Sequence, residues 1–507
     1  MPITLIDKIA PKADAFTGMV DAEQVIGDGA TNVLPNNTIS ASGVLQHESA
    51  IDHLNIQNVG TYSHSDIDSH IDNVGLHAFA STNITLSVST TGDDDDESRP
   101  EIIPSGDWSS YPFATIQGAV DSLPSVVAPY QVVINVGSGN FTGAEIRGRR
   151  GNIRIKGTSG VVTPTSGLAT GTATSAGERT LTVTGAGWTA DDFEGKFIEI
   201  TDGTGAGQKR CITGNTTDTL TTAAKWTTSL DATSEFSIYE PKTVINTGVL
   251  NSFGIWTGIT VSNTHGDIDI EDLSVQLSGA YIFALGALYS DRVTFQDCYT
   301  SGCYYTVFAQ DCYWISTQRV IVESSLTHPI YAVRVVDQFG FGGEVFINGG
   351  GDDVIIDNCE LLLFDGYYVK NLPGDEWGTL IYRSRGAIVN GVWEGGSRGI
   401  TVHTASSIIL EGAEFNNITH RAVYVTNCSN ALFQIGLSST GNSGLGYKIE
   451  TTSSVMGLYL DNLTSSGNDL EIDGETFSDI TQYLAAEGDS IRGPYGSVIA
   501  RIQNDEG

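Results

Sequence analysis

Basic charge is scarce in this sequence: 25 lysines and arginines stand against 60 aspartates and glutamates, giving a formal net charge of -35 over 507 residues. Such a chain repels phosphate backbones and anionic bilayers, so neither nucleic acid nor a membrane surface is expected as a partner. Methionine is nearly absent, with three residues, while 59 glycines and many serines and threonines argue against an all-helical protein and for turn-rich β structure. No apolar run approaches the ~20 residues of a membrane-spanning helix. The longest lies around Gly279 to Tyr289, so no membrane insertion is expected. Met1 to Pro11 has no basic stretch followed by an apolar one, and no conventional export signal is visible. The six cysteines, Cys211, Cys298, Cys303, Cys312, Cys359 and Cys428, form neither a disulfide framework nor a C-x-x-C zinc pair. They read as reduced, buried thiols. No cofactor is implied.

Internal periodicity is what the sequence does have. The pattern apolar-x-apolar-x-x-apolar recurs at Ile268-Ile270-Leu273, Val293-Phe295-Cys298, Val320-Val322-Ser325, Val354-Ile356-Cys359, Ala387-Val389-Val392, Ile408-Leu410-Ala413 and Leu458-Leu460-Leu463, with a degraded copy at Leu432-Gln434-Leu437. Successive copies start 25, 27, 34, 33, 21, 24 and 26 residues apart. A unit this short cannot bury its apolar side alone, so stacked units share one core and variation in length falls in loops. Two side chains of each copy point inward, and a pair such as Asp357-Asn358 makes the bend before the next. The pattern is that of a parallel β-helix, a single-stranded solenoid. Uniform blades of about 40 residues, as in a propeller, are missing.

Upstream, Phe113, Ile116, Val120 and Leu123 share one helical face between Pro112 and Pro124, which predicts a helix capping the first coil. Gln131 to Val136 and Asn152 to Lys156 read as early strands, and the next coil strand starts near Val244. Residues 159–242 therefore read as an inserted small β domain, with strand-like runs at Thr180 to Thr184, Lys196 to Ile200 and Phe236 to Tyr239. The expected organisation is an N-terminal attachment and stalk region over 1–92, the capping helix and first coils over 93–158, the insertion, the main β-helix over 243–475, and a C-terminal cap over 476–507. The acidic run Asp93 to Glu97 reads as a solvated linker. Before it, Ile56-Gln-Asn-Val-Gly60 is echoed by Ile71-Asp-Asn-Val-Gly75, and five of the nine histidines (His47, His53, His64, His70, His77) lie here. So short a repeat gains stability by winding around identical partners. Histidines ringing such an axis could bind a metal, but their spacings match no ligand pattern, so a hydrated stalk is preferred and no metal is expected.

Several segments resemble bacteriophage tail proteins. Ile6-Asp-Lys-Ile-Ala-Pro-Lys-Ala-Asp-Ala-Phe16, Val20-Asp-Ala22 and Ser63-His-Ser-Asp-Ile-Asp-Ser-His-Ile71 are similar to N-terminal regions of tail fibres and tailspikes. Pro112-Phe-Ala-Thr-Ile-Gln117 resembles the capping helix of pectate-lyase-like, right-handed parallel β-helices. The resemblance implies a homotrimeric virion tail protein, made in the host cytoplasm. It would attach through residues 1–92 to phage tail or baseplate proteins and bind a host cell-surface polysaccharide. The alternative is a polysaccharide depolymerase, a glycoside hydrolase or lyase, acting on that glycan. Catalytic residues vary in position among such spikes, so none is carried over.

Chemistry is read from register instead. Gly395-Gly-Ser-Arg-Gly399 matches a nucleophile elbow in letters only, since the following segment reads as strand rather than helix. Gly203-Thr-Gly-Ala-Gly207 reads as a hairpin turn, and the cluster Arg147, Arg149, Arg150, Arg154, Lys156 as partners of nearby acids rather than an anion site. If Cys359 points inward, the outward column of that sheet reads Ser274, Tyr299, Leu326, Glu360, Trp393, Glu414, Thr464. Tyr299 and Trp393 are then candidate sugar-stacking residues. Glu360 and Glu414, two coil steps apart, are a candidate acid and base for inverting hydrolysis, against the plainer reading of solvated surface acids. Asp357 and Glu323 read as turn-shaping acids that could also face a groove. A second outward column is apolar from Ile321 onward, through Ile355, Ile388, Ile409, Phe433 and Tyr459, and reads as a trimer interface.

Overall fold

The computed structural model describes residues 79–426 except 279–282, 341–342, 351–353, 361, 372–377 and 405, and beyond these the strand segments between 432 and 501. It is an all-β parallel solenoid: one 30-stranded ladder in which most strands pair in parallel with the same strand of the next coil. Each full coil contributes to three sheets. The inward column of the first sheet is Val132, Ile153, Ile268, Val293, Ile315, Phe339. That of the second is Phe141, Ile245, Val275, Thr300, Val322, Ile347, Val369, Trp393, Phe415. The third carries Ile146, Val261, Ala287, Ala309, Ala332, Ile356, Ile381, Val402. All of these side chains are buried, and stacked like residues make the core continuous.

Corners are set by left-handed backbone, which costs glycine nothing and asparagine or aspartate little. After the first sheet the corner residues are Asp272, Asp297, Arg319, Gly366, Asn390 and Gly412; after the third they are Asn263, Tyr289, Asp311, Arg334, Asn358 and Arg383, all at positive φ. Three of these are arginines, where such a backbone is unfavourable. Each is held by a two-pronged ion pair to the preceding coil: Arg319 to Asp297, Arg334 to Asp311 and Arg383 to Asp357. Asp357 therefore holds the corner of the following coil, through an arginine that spacing alone did not show, while its own corner turns at Asn358.

The expected helix is present but short. Helix α1 (Ile116–Asp121) is capped by Thr115, whose Oγ1 accepts from the Gly118 N–H at 2.9 Å, and it packs against strands Ile84–Val88 and Ala144–Arg147. Phe113, Ile116, Val120 and Leu123 are all buried, as their spacing requires. The acidic run is largely exposed, as expected, but it is not a linker. Asp94 accepts from the backbone N–H groups of Ala114 and Thr115 at 2.8 and 3.0 Å and from the Thr115 hydroxyl at 2.6 Å, fastening the helix start. Arg99 lies over the Phe113 ring at 3.7 Å. Pairing of Ile84–Val88 with Val132–Val136 starts the ladder ahead of residue 93. In the basic cluster, Arg154 pairs with Glu271 at 2.5 Å and Arg149 donates to the Val120 carbonyl at the helix end, 3.0 Å.

Between coil strands Arg150–Lys156 and Thr243–Thr247, residues Ser159–Pro241 form a separate eight-stranded sheet in which every pairing is antiparallel. It has its own core, including Trp188, Phe193, Ile198, Ile200, Leu220 and Phe236. Gly203 to Gly207 joins strands Phe197–Asp202 and Lys209–Asn215 as a hairpin. Gly395 to Gly399 leads into strand Arg398–His403, with no helix following. Cys211, Cys298, Cys303, Cys312 and Cys359 are buried free thiols, and Cys428 lies outside the described residues. So do the stalk histidines and the 15-residue repeat.

Candidate functional site

Pairing register defines the outward column of the second sheet as Val244, Ser274, Tyr299, Ile321, Phe346, Tyr368, Val392, Glu414. Ser274, Tyr299 and Glu414 stand where alternation put them. The rest do not. Trp393 is 1% exposed and points into the coil: its indole N–H donates to Thr379 Oγ1 at 3.0 Å, and it stacks on Phe415 at 4.7 Å between centroids. Gly391 makes this possible, since a Cβ there would stand 2.8 Å from the indole. Glu360 is exposed in the turn after Val354–Asp357, a strand of the third sheet, and Leu326 sits in the turn after the second. Thr464 lies outside the described residues.

The cause is that apolar-x-apolar-x-x-apolar arises wherever a strand meets a corner, so the spacing does not tell which sheet a copy belongs to. Val320 pairs with Cys298 rather than Val293, and Val354 lies beside Thr379 in the third sheet. Glu360 and Glu414 therefore share no column, and the acid and base pair is not formed. Tyr299 and Glu414 are five rungs apart, about 24 Å at the usual strand spacing.

The proposed interface column separates in the same way. Ile321 is outward on the second sheet, Ile388 points into the core, Ile355 is outward on the third sheet, and Ile409 pairs with Ala387 on the first. The Phe433 and Tyr459 side chains lie outside the described ones. Ile321 is fully buried, but its cover belongs to its own chain. Phe197, Cys211, Ala223 and Tyr239 of the antiparallel sheet close over Ile321, Phe346, Tyr368 and Val392. Phe197 stacks on Tyr239 at 5.5 Å.

Buried polar contacts fasten this cover. Glu344 accepts from the Cys211 N–H at 2.6 Å, and burial pushes its carboxyl up to about 7 against the opposing pull of Arg210, the Cys211 and Ala224 N–H groups and Arg319. The Asp297 and Arg319 pair lies beneath it, 2.6 and 3.0 Å, with the Tyr239 hydroxyl 3.4 Å from Asp297. Glu194 accepts from Asn348 and, at 3.1 Å, from Lys370; burial raises its carboxyl above the usual range despite that lysine. At the far end Arg179 donates to the Asn390 carbonyl at 2.7 Å and lies 3.7 Å from Glu414.

At the near end the cover stops short and leaves a pocket of about 230 Å³ lined by Gly195, Lys196, Glu240, Pro241, Lys242, Val244, Ser274, Gln276 and Tyr299. Lys196 and Lys242 reach the two oxygens of Glu240, each at 2.5 Å. Burial works against ionisation of Glu240, but the two ammoniums outweigh it and hold the carboxyl below its usual value. Gln276 donates to Ser274 at 2.8 Å. Tyr299 forms the aromatic wall; its hydroxyl donates to Glu323, and burial together with that carboxylate raises its pKa. Glu323 thus touches the aromatic wall without itself lining the pocket. The lysines and Glu240 escaped sequence reading because they enter from the antiparallel sheet and the return from it, over thirty residues ahead of Ser274. The sole hint was the charged triplet Glu240-Pro-Lys242 at the return into the coils.

The third sheet offers a different surface. Phe283, Tyr305 and His328 are in register over three coils, and Phe308, Tyr331, Ile355 and Leu380 form the adjoining column. Phe308 stacks on Phe283 at 4.1 Å and lies parallel to Tyr331 at 5.6 Å.

No family model and no curated protein matches the chain. Among solved structures it is similar to the tailspike protein gp49 from Pseudomonas phage LKA1, with 12% identity, a TM-score of 0.18, and 69% of this chain and 71% of that one covered. It is also similar to the Gp54 tailspike of Acinetobacter baumannii bacteriophage AP22, a structure in complex with A. baumannii capsular saccharide, at 9% identity and a TM-score of 0.17, covering 67% and 74%. The Pseudomonas phage phi297 tailspike gp61 shares 12% identity with a TM-score of 0.20, covering 66% and 71%.

Proposed function

We propose that this chain is a bacteriophage tail spike or fibre that holds a host-surface polysaccharide at the Tyr299 pocket. The observation that carries the reading is the pocket itself: an aromatic wall beside Ser274, Gln276, Lys196, Glu240 and Lys242, on a ladder whose coils repeat about every 4.8 Å. An apolar ring face with hydrogen-bonding groups around it suits a sugar, and an extended ladder suits a polymer. Residues 159–242 act as an inserted domain that forms half of the site, and residues 1–92 join the chain to the tail. Three copies associate through the third-sheet stripe Phe308, Tyr331, Ile355 and Leu380, an outward apolar run on a strongly charged chain.

Binding of the full chain to purified bacterial surface polysaccharides, compared with Tyr299→Ala, tests the reading. A loss of about ten- to a hundredfold is expected for a stacked ring, and unchanged binding refutes the site. The depolymerase alternative is favoured by the placing of two carboxyls beside the pocket: Glu323, which accepts from the Tyr299 hydroxyl, and Glu194, adjacent to the lining residue Gly195 and raised by burial. Sizing the polysaccharide after incubation decides it: shortening that Glu194→Gln abolishes makes the spike an enzyme, and constant size leaves a binding protein.

A further inference from the structure

We infer that the Tyr299 pocket takes an acidic sugar, with the sugar carboxylate seated between Lys196 and Lys242; this rests on the glycan reading above and adds the charge of the ligand. The chain carries -35 overall, yet among the residues lining this pocket two ammoniums face one carboxylate, a local charge of +1. Each ammonium has three N–H donors and spends one on Glu240. Their side chains are 31% and 38% exposed, so the remaining donors are within reach of a ligand. Glu240, held ionised, fixes both ammoniums on opposite oxygens and pre-orients them. Of the acids outside the lining, Glu323 accepts from the Tyr299 hydroxyl and Glu194 is paired with Lys370.

The magnitude of the charge favours a singly charged anion over free phosphate or a phosphate monoester. A carboxylate brings one negative charge, which the pocket neutralises, whereas a phosphate near neutral pH brings roughly 1.5 to 2 and leaves an excess in a molecule that already repels anions. Screening over about 8 Å at physiological ionic strength keeps the distant acidic surface from cancelling the two lysines at contact range. The Tyr299 ring meanwhile offers a flat wall for the sugar ring, so charge and stacking act on one residue of the polymer.

The test is calorimetric titration of the full chain with trigalacturonate, with the neutral galactose trimer, and with inorganic phosphate. The acidic trimer is expected to bind at least about tenfold more tightly than the neutral one. Lys196→Met and Lys242→Met should each remove most of that difference, weakening trigalacturonate more than the neutral trimer, and Lys242→Arg should restore it. Glu240→Gln raises the local charge by one and should steepen the fall of trigalacturonate affinity with added salt, a change that misfolding cannot imitate. Equal affinity for both trimers, or lysine variants without effect, overturns the acidic ligand and leaves the glycan reading standing. No binding of either trimer, with Tyr299→Ala also silent on whole polysaccharide, overturns both. Displacement of trigalacturonate by equimolar phosphate overturns the carboxylate assignment.

Discussion

Replacing Trp393 by alanine deletes an indole that is 1% exposed, hydrogen-bonded to Thr379 at 3.0 Å, stacked on Phe415 at 4.7 Å and tilted against Tyr367 at 5.6 Å. Truncating a buried tryptophan costs about 3 to 5 kcal/mol, because the lost contacts and the cavity add. Thr379 is not orphaned, since the Tyr367 hydroxyl remains 3.1 Å from its Oγ1. The cost is thus mainly packing, and Trp393→Phe, which keeps most of the stack on Phe415, should cost only about 1 to 2 kcal/mol. In a solenoid each coil contacts mainly its neighbours, so the loss stays local. Hydrogen exchange resolves it: amides of Tyr367–Lys370, Val392–Glu394 and Glu414–Asn416 should exchange about a hundred- to a few thousandfold faster in the alanine variant, with strands before Thr243 unchanged. Glycan binding at Tyr299 should survive, four coils away in the ladder. Unchanged exchange together with lost binding would put the indole on the surface and refute the register.

Glu344→Gln should remove a pH dependence from the cover. The folded carboxyl, at about 7, lies above the ordinary 4.5, so its contribution is fully present below pH 4.5 and fades as pH rises to about 7. Wild type minus variant should therefore lose about 3 kcal/mol across that window in denaturant titrations; a flat difference would mean the carboxyl is hydrated. Arg319→Met leaves Asp297, whose side chain is 3% exposed, without its partner and should cost about 3 to 5 kcal/mol, with Asp297→Asn in the same chain recovering part of it. A cost below about 1 kcal/mol in chemical unfolding would show that water reaches the pair. Ile355→Asp should convert a trimer to monomers in light scattering while circular dichroism stays that of the wild type, and a wild type already monomeric at micromolar concentration removes the interface.

The sequence by itself determined the class of fold and much of its layout. Many glycines and a 21 to 34-residue apolar repeat are compatible with few architectures, and those αL corners that carry Asp, Asn or Gly announce themselves, whereas Tyr289, Arg319, Arg334 and Arg383 do not. The strands before Lys156, the helix face of Phe113, Ile116, Val120 and Leu123, and the resumption near Val244 were legible because burial on one side leaves an alternation to read. Around Trp393 that signal fails. Val392 is buried outward beneath the antiparallel sheet and Trp393 inward among Tyr367 and Phe415, so both are apolar and alternation carries no direction. Only Gly391, needed where the indole passes, marks the inside, and it gains that meaning once the neighbouring coil is in place. The same cover turned Ile321 from a candidate contact with other chains into an internal one, and it brought Lys196, Glu240 and Lys242 to Tyr299. Which strand lies beside which, and what closes over it, is settled by pairing between residues dozens of positions apart; that belongs to the tertiary structure, because a local period of two says where a side chain alternates but not what it meets.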